Sequence, residues 1–382
     1  MKISKPKRKR KKIMGEIDYG VFYTVLLLVA IGTVMIYSAS SYYAMFTYGD
    51  SMFFLKKQLM LVPLGFLSMM FMMGFDYHKI KKYSVGVLLG CIPLLIAVFF
   101  FPDVNGAQRW IKLGPLSFQP SDLTKYAVVI FLAMGLEAKG EGIKKLWTGV
   151  VPYLGVAGIF AALILAEKNL SIASVIMIVT FIMLFVSGAQ NKHLFGLVAP
   201  AMFSAATFFT LSSSYRKARL LNFIDPWKDA AGNGYQLIQS FYALGAGGIT
   251  GLGLGQSRQK TLYMPEPHND FIFSIIGEEL GLIGCICIII LFLIFIWRGI
   301  NIAMKAKDTY GTLLAVGITS VIAIQCIINI AVVTGSMPVT GVPLPFISYG
   351  GTSLVINMTA MGILMNISRQ IDGKEESRVS QV

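Results

Sequence analysis

Apolar stretches recur along nearly the whole chain, separated by short polar or Gly/Pro-rich segments. A helix needs roughly 20 predominantly apolar residues to cross a bilayer core. On that template ten spans are expected, near 19–37, 55–75, 84–101, 122–137, 147–166, 171–187, 193–211, 270–297, 311–334 and 348–368. The pattern predicts an all-α polytopic membrane protein. The first stretch follows a basic start and ends at Ser38-Ala39-Ser40, as a signal peptide would. Its apolar run from Tyr19 to Tyr37 is longer than the roughly 7–15 residues of such a signal, so it is expected to stay as a span. One connection, about 212–269, is far longer than the others. Loops beyond about 15 residues are uncommon and usually functional. The expected organisation is a polar tail over 1–17, a membrane domain over 18–369 and a second tail over 370–382.

Composition excludes a soluble globular protein. The 382 residues are 55% hydrophobic and only 14% charged, against roughly 25% charged in soluble chains. Mean hydropathy is +0.68. The net charge of +14 is unevenly placed, with eight Lys and Arg residues between Lys2 and Lys12. Such a run reads as a nucleic-acid or nuclear signal, or as a cytoplasmic flank attracted to anionic membrane lipids. An apolar span beginning near Asp18 favours the second, and no nucleic-acid partner is expected. With ten spans both termini share a side. If that side is cytoplasmic it carries 21 of the 33 Lys and Arg, the outer side carries 11, and Lys125 lies within a span. Six of the outer cations crowd into the 212–269 loop. Cys91, Cys285, Cys287 and Cys326 all fall in apolar stretches without metal or redox spacing, and read as small hydrophobes.

The unusual residues gather on the expected outer side. Asn105–Gly114 places Arg109, Trp110 and Lys112 between spans three and four; a Trp beside cations is often an interfacial anchor. Pro120, Ser121 and Asp122 make a helix start, with an acid at the positive end of the dipole. Asp122 and Lys125 stand three apart and can pair on one face. Ionisable residues at membrane depth are functional candidates. Gly245–Gly255 is glycine-rich, which suits either an anion cradle or close backbone packing. The densest cluster, Gly255–Gly281, offers Arg258 and Lys260 as cations and Glu266, His268 and Asp270 at alternate positions before an apolar helix. Asp270 either caps that helix or serves as a partly buried carboxylate base. Glu278 and Glu279 follow about two turns further in, where carboxylates are expensive unless paired or wet. Between spans nine and ten, Gly335–Ser353 holds three prolines and four glycines. Irregular backbone at that depth is tolerated inside protein or against a water-filled cavity.

The combination of Asn105–Gly114, Gln119–Lys125, Lys260–Gly281 and Pro338–Gly351 resembles the SEDS family (shape, elongation, division and sporulation) from Asp18 to Arg369. Ser257–Lys260 and Val333–Met337 look more like its FtsW and SpoVE branch than its RodA branch. The resemblance implies a ten-helix peptidoglycan glycosyltransferase of the bacterial plasma membrane, with both termini cytoplasmic. It would polymerise lipid II on the outer face and release undecaprenyl diphosphate, in division or sporulation. It further implies a class B penicillin-binding protein as partner, together with other division or sporulation membrane proteins. On this resemblance Asp270 is the catalytic residue, and Arg109, Trp110, Asp122, Lys125, Arg258, Lys260, His268 and Ser348 are substrate-binding candidates. A divalent cation, Mg2+ or Mn2+, could share the leaving-group charge. The chain departs from the family in three places. His268-Asn269 stands where the family has His-Thr, Asp122 where it usually has Glu, and Glu167-Lys-Asn-Leu-Ser-Ile172 where it often has Gln-Pro-Asp-Leu-Gly-Thr. The last leaves no acid at position 169. A lipid II flippase and a non-catalytic scaffold for a transpeptidase are the competing readings.

Overall fold

The computed structural model describes residues 15–103, 107–114 and 116–371. The basic run Lys2–Lys12, the tail beyond 371 and residues Asn105 and Gly106 lie outside the described residues. In chain order the elements are α1 (Tyr19–Tyr48), α2 (Phe53–Gly74), α3 (Tyr77–Ala97), strands β1 (Ile111–Leu113) and β2 (Leu116–Phe118), α4 (Pro120–Lys139), α5 (Val151–Ala166) and α6 (Leu170–Val186). Then come α7 (Asn191–His193), which runs through a π turn into α8 (Ala199–Leu211), and α9 (Ser214–Ile224), α10 (Tyr235–Gly247), α11 (Ile272–Lys305), α12 (Thr309–Val333) and α13 (Thr352–Ile371).

This is a multi-pass all-helical membrane protein, and every expected span coincides with a helix. Among the described residues, seven helices are long and apolar enough to cross a bilayer. The other three expected spans are shorter or more polar for a physical reason. Helices α4 and α13 lie inside the bundle, so they can carry buried Asp122, Lys125, Asn357 and Asn366 without showing them to lipid. Helix α6 has 17 residues and packs between α5, α12 and α4. A β-hairpin, with Ile111 opposite Phe118, departs from the all-α expectation. The 212–269 connection is likewise not plain loop, since α9 and α10 occupy much of it.

Local capping explains several helix starts. Asp18, Asp76 and Asp308 accept the N–H groups of Val21, His78 and Gly311, which satisfies donors that an isolated helix leaves open. Helix α1 outruns the expected span because Ser38, Ala39 and Ser40 face protein and not water. It ends at Gly49, whose left-handed φ of 70° lets its N–H reach the Met45 carbonyl.

Helix α11 is broken at Gly281 (φ 66°, ψ −166°). The glycine-rich strand of chain after α10 repairs the break. Leu252 and Gly253 donate to the carbonyls of Glu278 and Glu279 at 3.0 and 2.9 Å, and Leu282 and Ile283 donate back to Gly248 and Ile249. A Cβ on Gly247 would lie 1.9 Å from the Gly277 carbonyl oxygen, and one on Gly251 2.2 Å from that of Glu279. The glycines therefore serve close backbone packing, which satisfies backbone groups that a broken helix would otherwise leave open in the membrane.

Candidate active site

Asp270 stands just ahead of α11, where five segments meet. The Asn329 amide, buried on α12, donates to the Asp270 carbonyl and to the Val342 carbonyl, each at 2.7 Å. One side chain thus ties the start of α11 to the Pro-rich 335–351 loop. In that loop Gly341 (φ 74°) faces the acid, and a Cβ there would stand 3.2 Å from Asp270 Oδ2. The hairpin arm brings Arg109 and α9 brings Arg219. Burial raises the Asp270 carboxyl to about 6 and nearby Glu266 pushes it the same way, while Arg109 and Arg219 pull it down. Its side chain remains partly accessible. A carboxylate with these properties can accept a proton near neutral pH.

The supports around it are strained. Lys168 and Glu266 adopt left-handed backbone with φ of 61° and 46°, a conformation costing non-glycine residues about 1–3 kcal/mol each. Arg109 donates to the Lys168 carbonyl, and Asn269 Nδ2 to Glu266 Oε2 at 2.8 Å. Ser171 donates to the Thr340 carbonyl, so the turn between α5 and α6 is anchored to the residue before Gly341. Asn169, which stands where the resembled motif often has Asp, caps α6 by accepting the Ile172 N–H.

A second acidic cluster lies deeper. Glu278 and Glu279 are both fully buried. Glu279 pairs with Lys260 at 2.8 Å and accepts from Ser38 Oγ at 2.7 Å. Glu278 accepts from Ser257 and from the backbone N–H groups of Arg258 and Gln259. Together they lock the long segment between α10 and α11 onto α1 and α11.

The sequence candidates separate accordingly. Arg109 joins Asp270, with half-buried Trp110 next in the chain. Asp122 and Lys125 pair at 2.9 Å, and the ammonium also donates to Gln325 at 3.1 Å. Gln325 is one turn from Asn329 on the same face of α12, so the pair supports the site from below. Lys260 is committed to Glu279. His268 is 2% exposed, with its ring 4.1 Å from that of Phe54 and 5.9 Å from that of Tyr349. Burial lowers its pKa to about 3, so it is neutral. Ser348 turns inward and accepts the Leu344 N–H at 2.8 Å. Arg258 is exposed and lines a cleft of about 580 Å³ with Ser41, Tyr42, Ser51 and Thr261.

Arg219, Asn329 and Glu167 escaped the sequence reading as site residues. The crowding of cations in the 212–269 loop was a signal for Arg219. Nothing in the apolar pattern around Asn329 marked it beyond its being an amide at membrane depth. Among the described residues, no group of three or more His, Cys, Asp or Glu side chains is arranged to hold a metal ion.

The profile of the cell cycle protein family FtsW/RodA/SpoVE matches residues 19–373. Stage V sporulation protein E of Bacillus subtilis is 45% identical over 350 residues, covering 90% of this chain and 94% of that protein. The probable peptidoglycan glycosyltransferase FtsW of the same organism is 39% identical over 382 residues, covering 96% and 94%. Among solved structures, one described as "Structural coordination of polymerization and crosslinking by a peptidoglycan synthase complex" contains a similar chain. It matches with a TM-score of 0.77 and 28% identity over 93% of this chain and 98% of that one. The rod shape determining protein RodA of Thermus thermophilus shares the fold, with a TM-score of 0.69 at 24% identity over 92% and 97%.

Proposed function

This chain belongs to the FtsW/RodA/SpoVE family of cell cycle proteins, and on that footing we propose that it is a peptidoglycan glycosyltransferase serving division or sporulation. Its substrate is lipid II, whose polyprenyl tail lies against the apolar bundle while the diphosphate and sugars meet the polar loops. Asp270 takes the proton from the 4-hydroxyl of the acceptor sugar as that oxygen attacks C1 of the donor. An α-linked donor giving a β-linked strand requires inversion, for which one base suffices. Arg109 and Arg219 receive the charge that develops on the departing undecaprenyl diphosphate. Lys125, Lys260, His268 and Ser348 act as supports, because their polar groups are paired or enclosed. No step is routed through a metal.

The observation that carries this reading is the partly buried Asp270 carboxyl, raised to about 6 between two guanidinium groups and a second carboxylate. The test is chain synthesis from labelled lipid II by the purified protein with its cognate class B penicillin-binding protein. Asp270→Asn should lower the rate by about 10²–10⁴-fold, the usual loss for a general base, with folding intact. Near-wild-type synthesis would remove Asp270 from the chemistry.

The same reading requires the Asp270 face to be outside the cell and both termini inside, as the Lys and Arg distribution supports. Single cysteines at Ser4, Ser214 and Ser380 in a cysteine-free background test it. Only position 214 should react with an impermeant reagent in intact protoplasts. Protection of 214 with labelling at 4 and 380 would invert the protein and defeat the mechanism.

A further inference from the structure

Glu167, at the end of α5, has no part in the mechanism above and is the least satisfied acid among the described residues. The residue is 1% exposed, and neither carboxyl oxygen has a hydrogen-bond partner among the described residues. A buried polar group left open in this way calls for an explanation, and a catalytic role is one of the few available. Two tethers direct it to the site. Its neighbour Lys168 is held in left-handed backbone and presents its carbonyl to Arg109, while Ser171 binds the Thr340 carbonyl beside Gly341. Thr340 Oγ1 is also buried without a partner among the described residues, so the unsatisfied atoms cluster where the turn between α5 and α6 faces the Asp270 loop.

We propose that Glu167 is a further catalytic residue, whose carboxyl hydrogen-bonds a diphosphate oxygen of the donor beside Arg109 and protonates it as the C1–O bond breaks. The inference rests on the polymerase reading above. The acceptor hydroxyl proton goes to Asp270, the new C1–O bond forms, and the C1–O bond to phosphate breaks with its electron pair leaving on the diphosphate. That oxygen takes the Glu167 proton, and the resulting carboxylate remains beside the Arg109 guanidinium. Solvent then returns a proton to Glu167 and removes one from Asp270. Burial raises Glu167 to about 8, with Arg109 pulling it down, whereas Asp270 lies near 6. Two carboxyls separated in this sense suit an acid and a base working together at neutral pH. Of the charged groups on the surrounding elements, which include the Asp122–Lys125 pair on α4 and Asp270 ahead of α11, Arg109 is the one that acts on Glu167.

Binding of farnesyl diphosphate to the purified full-length protein in detergent, measured between pH 7 and pH 9, tests the contact without turnover. Wild-type affinity should fall as pH rises through about 8, because ionised Glu167 repels the diphosphate. Glu167→Gln should bind across that range with little pH dependence and keep its thermal unfolding temperature, since an amide replaces a neutral carboxyl of the same shape. With lipid II and the transpeptidase partner, the same variant should lose roughly 10²-fold in kcat with KM little changed, as for removal of a general acid. Equal pH dependence of binding in the two proteins, or wild-type kcat in Glu167→Gln, would overturn the proposal. If wild type forms no chains while the binding difference persists, the diphosphate contact stands and the polymerase reading is what fails, and with it the proton transfer.

Discussion

Two carboxylate neighbourhoods on either side of the start of α11 are built on opposite rules. At Glu278 and Glu279 all four carboxylate oxygens meet donors, from Ser38, Ser257, Lys260 and the backbone of 257–259. At the other, neither Glu167 carboxyl oxygen has a hydrogen bond among the described residues, Asp270 stays partly accessible, and Lys168 and Glu266 are held in left-handed backbone. The first arrangement leaves no capacity for a ligand, and a saturated buried network rigidifies what it joins. The second holds donors and acceptors in reserve at a cost to stability. Rigid support beside an unsatisfied centre is what preorganised chemistry requires.

The strongest way to break this contrast is to unpair the saturated side. Glu279→Gln leaves the Lys260 ammonium buried without its counter-charge, a change that costs about 3–5 kcal/mol. Thermal unfolding in detergent should show the loss, and adding Lys260→Met should recover part of it. Lipid II polymerisation per folded molecule should stay near wild type. A catalytic defect as deep as that of Asp270→Asn in correctly folded Glu279→Gln would erase the distinction between the two neighbourhoods.

A smaller effect is expected at Asp122 and Lys125, where Gln325 still offers the ammonium an acceptor. Each neutral single substitution should destabilise more than the double change, because a lone buried charge is the costly state. Simple additivity in a double-mutant cycle on unfolding temperature would show that the two act separately.

The finest test moves the acid itself. Asp270 in the folded chain holds its proton more tightly than the unfolded chain does, so its burial costs stability as pH rises from about 4 through about 6. Asp270→Asn should therefore cost no stability at pH 7. Activity that needs the ionised carboxylate should fall as pH drops through about 6. Glu266→Gln removes a charge that raises Asp270, and should shift that limb to lower pH. Arg219→Gln removes a charge that lowers it, and should shift the limb upward. Each shift should stay within about one unit, or about 1.4 kcal/mol. Movement of both variants in one direction would contradict the electrostatic account of the site.

Much of the fold was legible in the chain because the relevant signal is local. A bilayer-spanning helix must be apolar over its own length, so the seven helices long and apolar enough to cross were legible, and the other three expected segments also coincide with helices. Asp270 and Arg109 stood out as candidates for a similar reason, as charges in short motifs at the ends of apolar runs, and the structure brings them together. The hairpin, α9 and α10 were not, since short elements lack a long hydrophobic run. Arg219 stayed hidden because it reaches the Val339 carbonyl at 3.2 Å across 120 residues, a contact no sequence window contains.

The sequence by itself determined that this is a membrane bundle with a polar face at the ends of particular helices. Length of apolar run and count of charge are properties each segment carries alone. Tertiary structure decided which charges are paired in a buried network and which stand beside Asp270. Lys260 and Arg109 look equally suitable in the sequence, yet one is buried against Glu279 and the other lies beside Asp270. Ser38 and Glu279 are 241 residues apart, and Arg109 meets the Lys168 carbonyl across 59. The free energy of an ionisable group depends on its burial and its partners, and both exist only once distant segments have packed together.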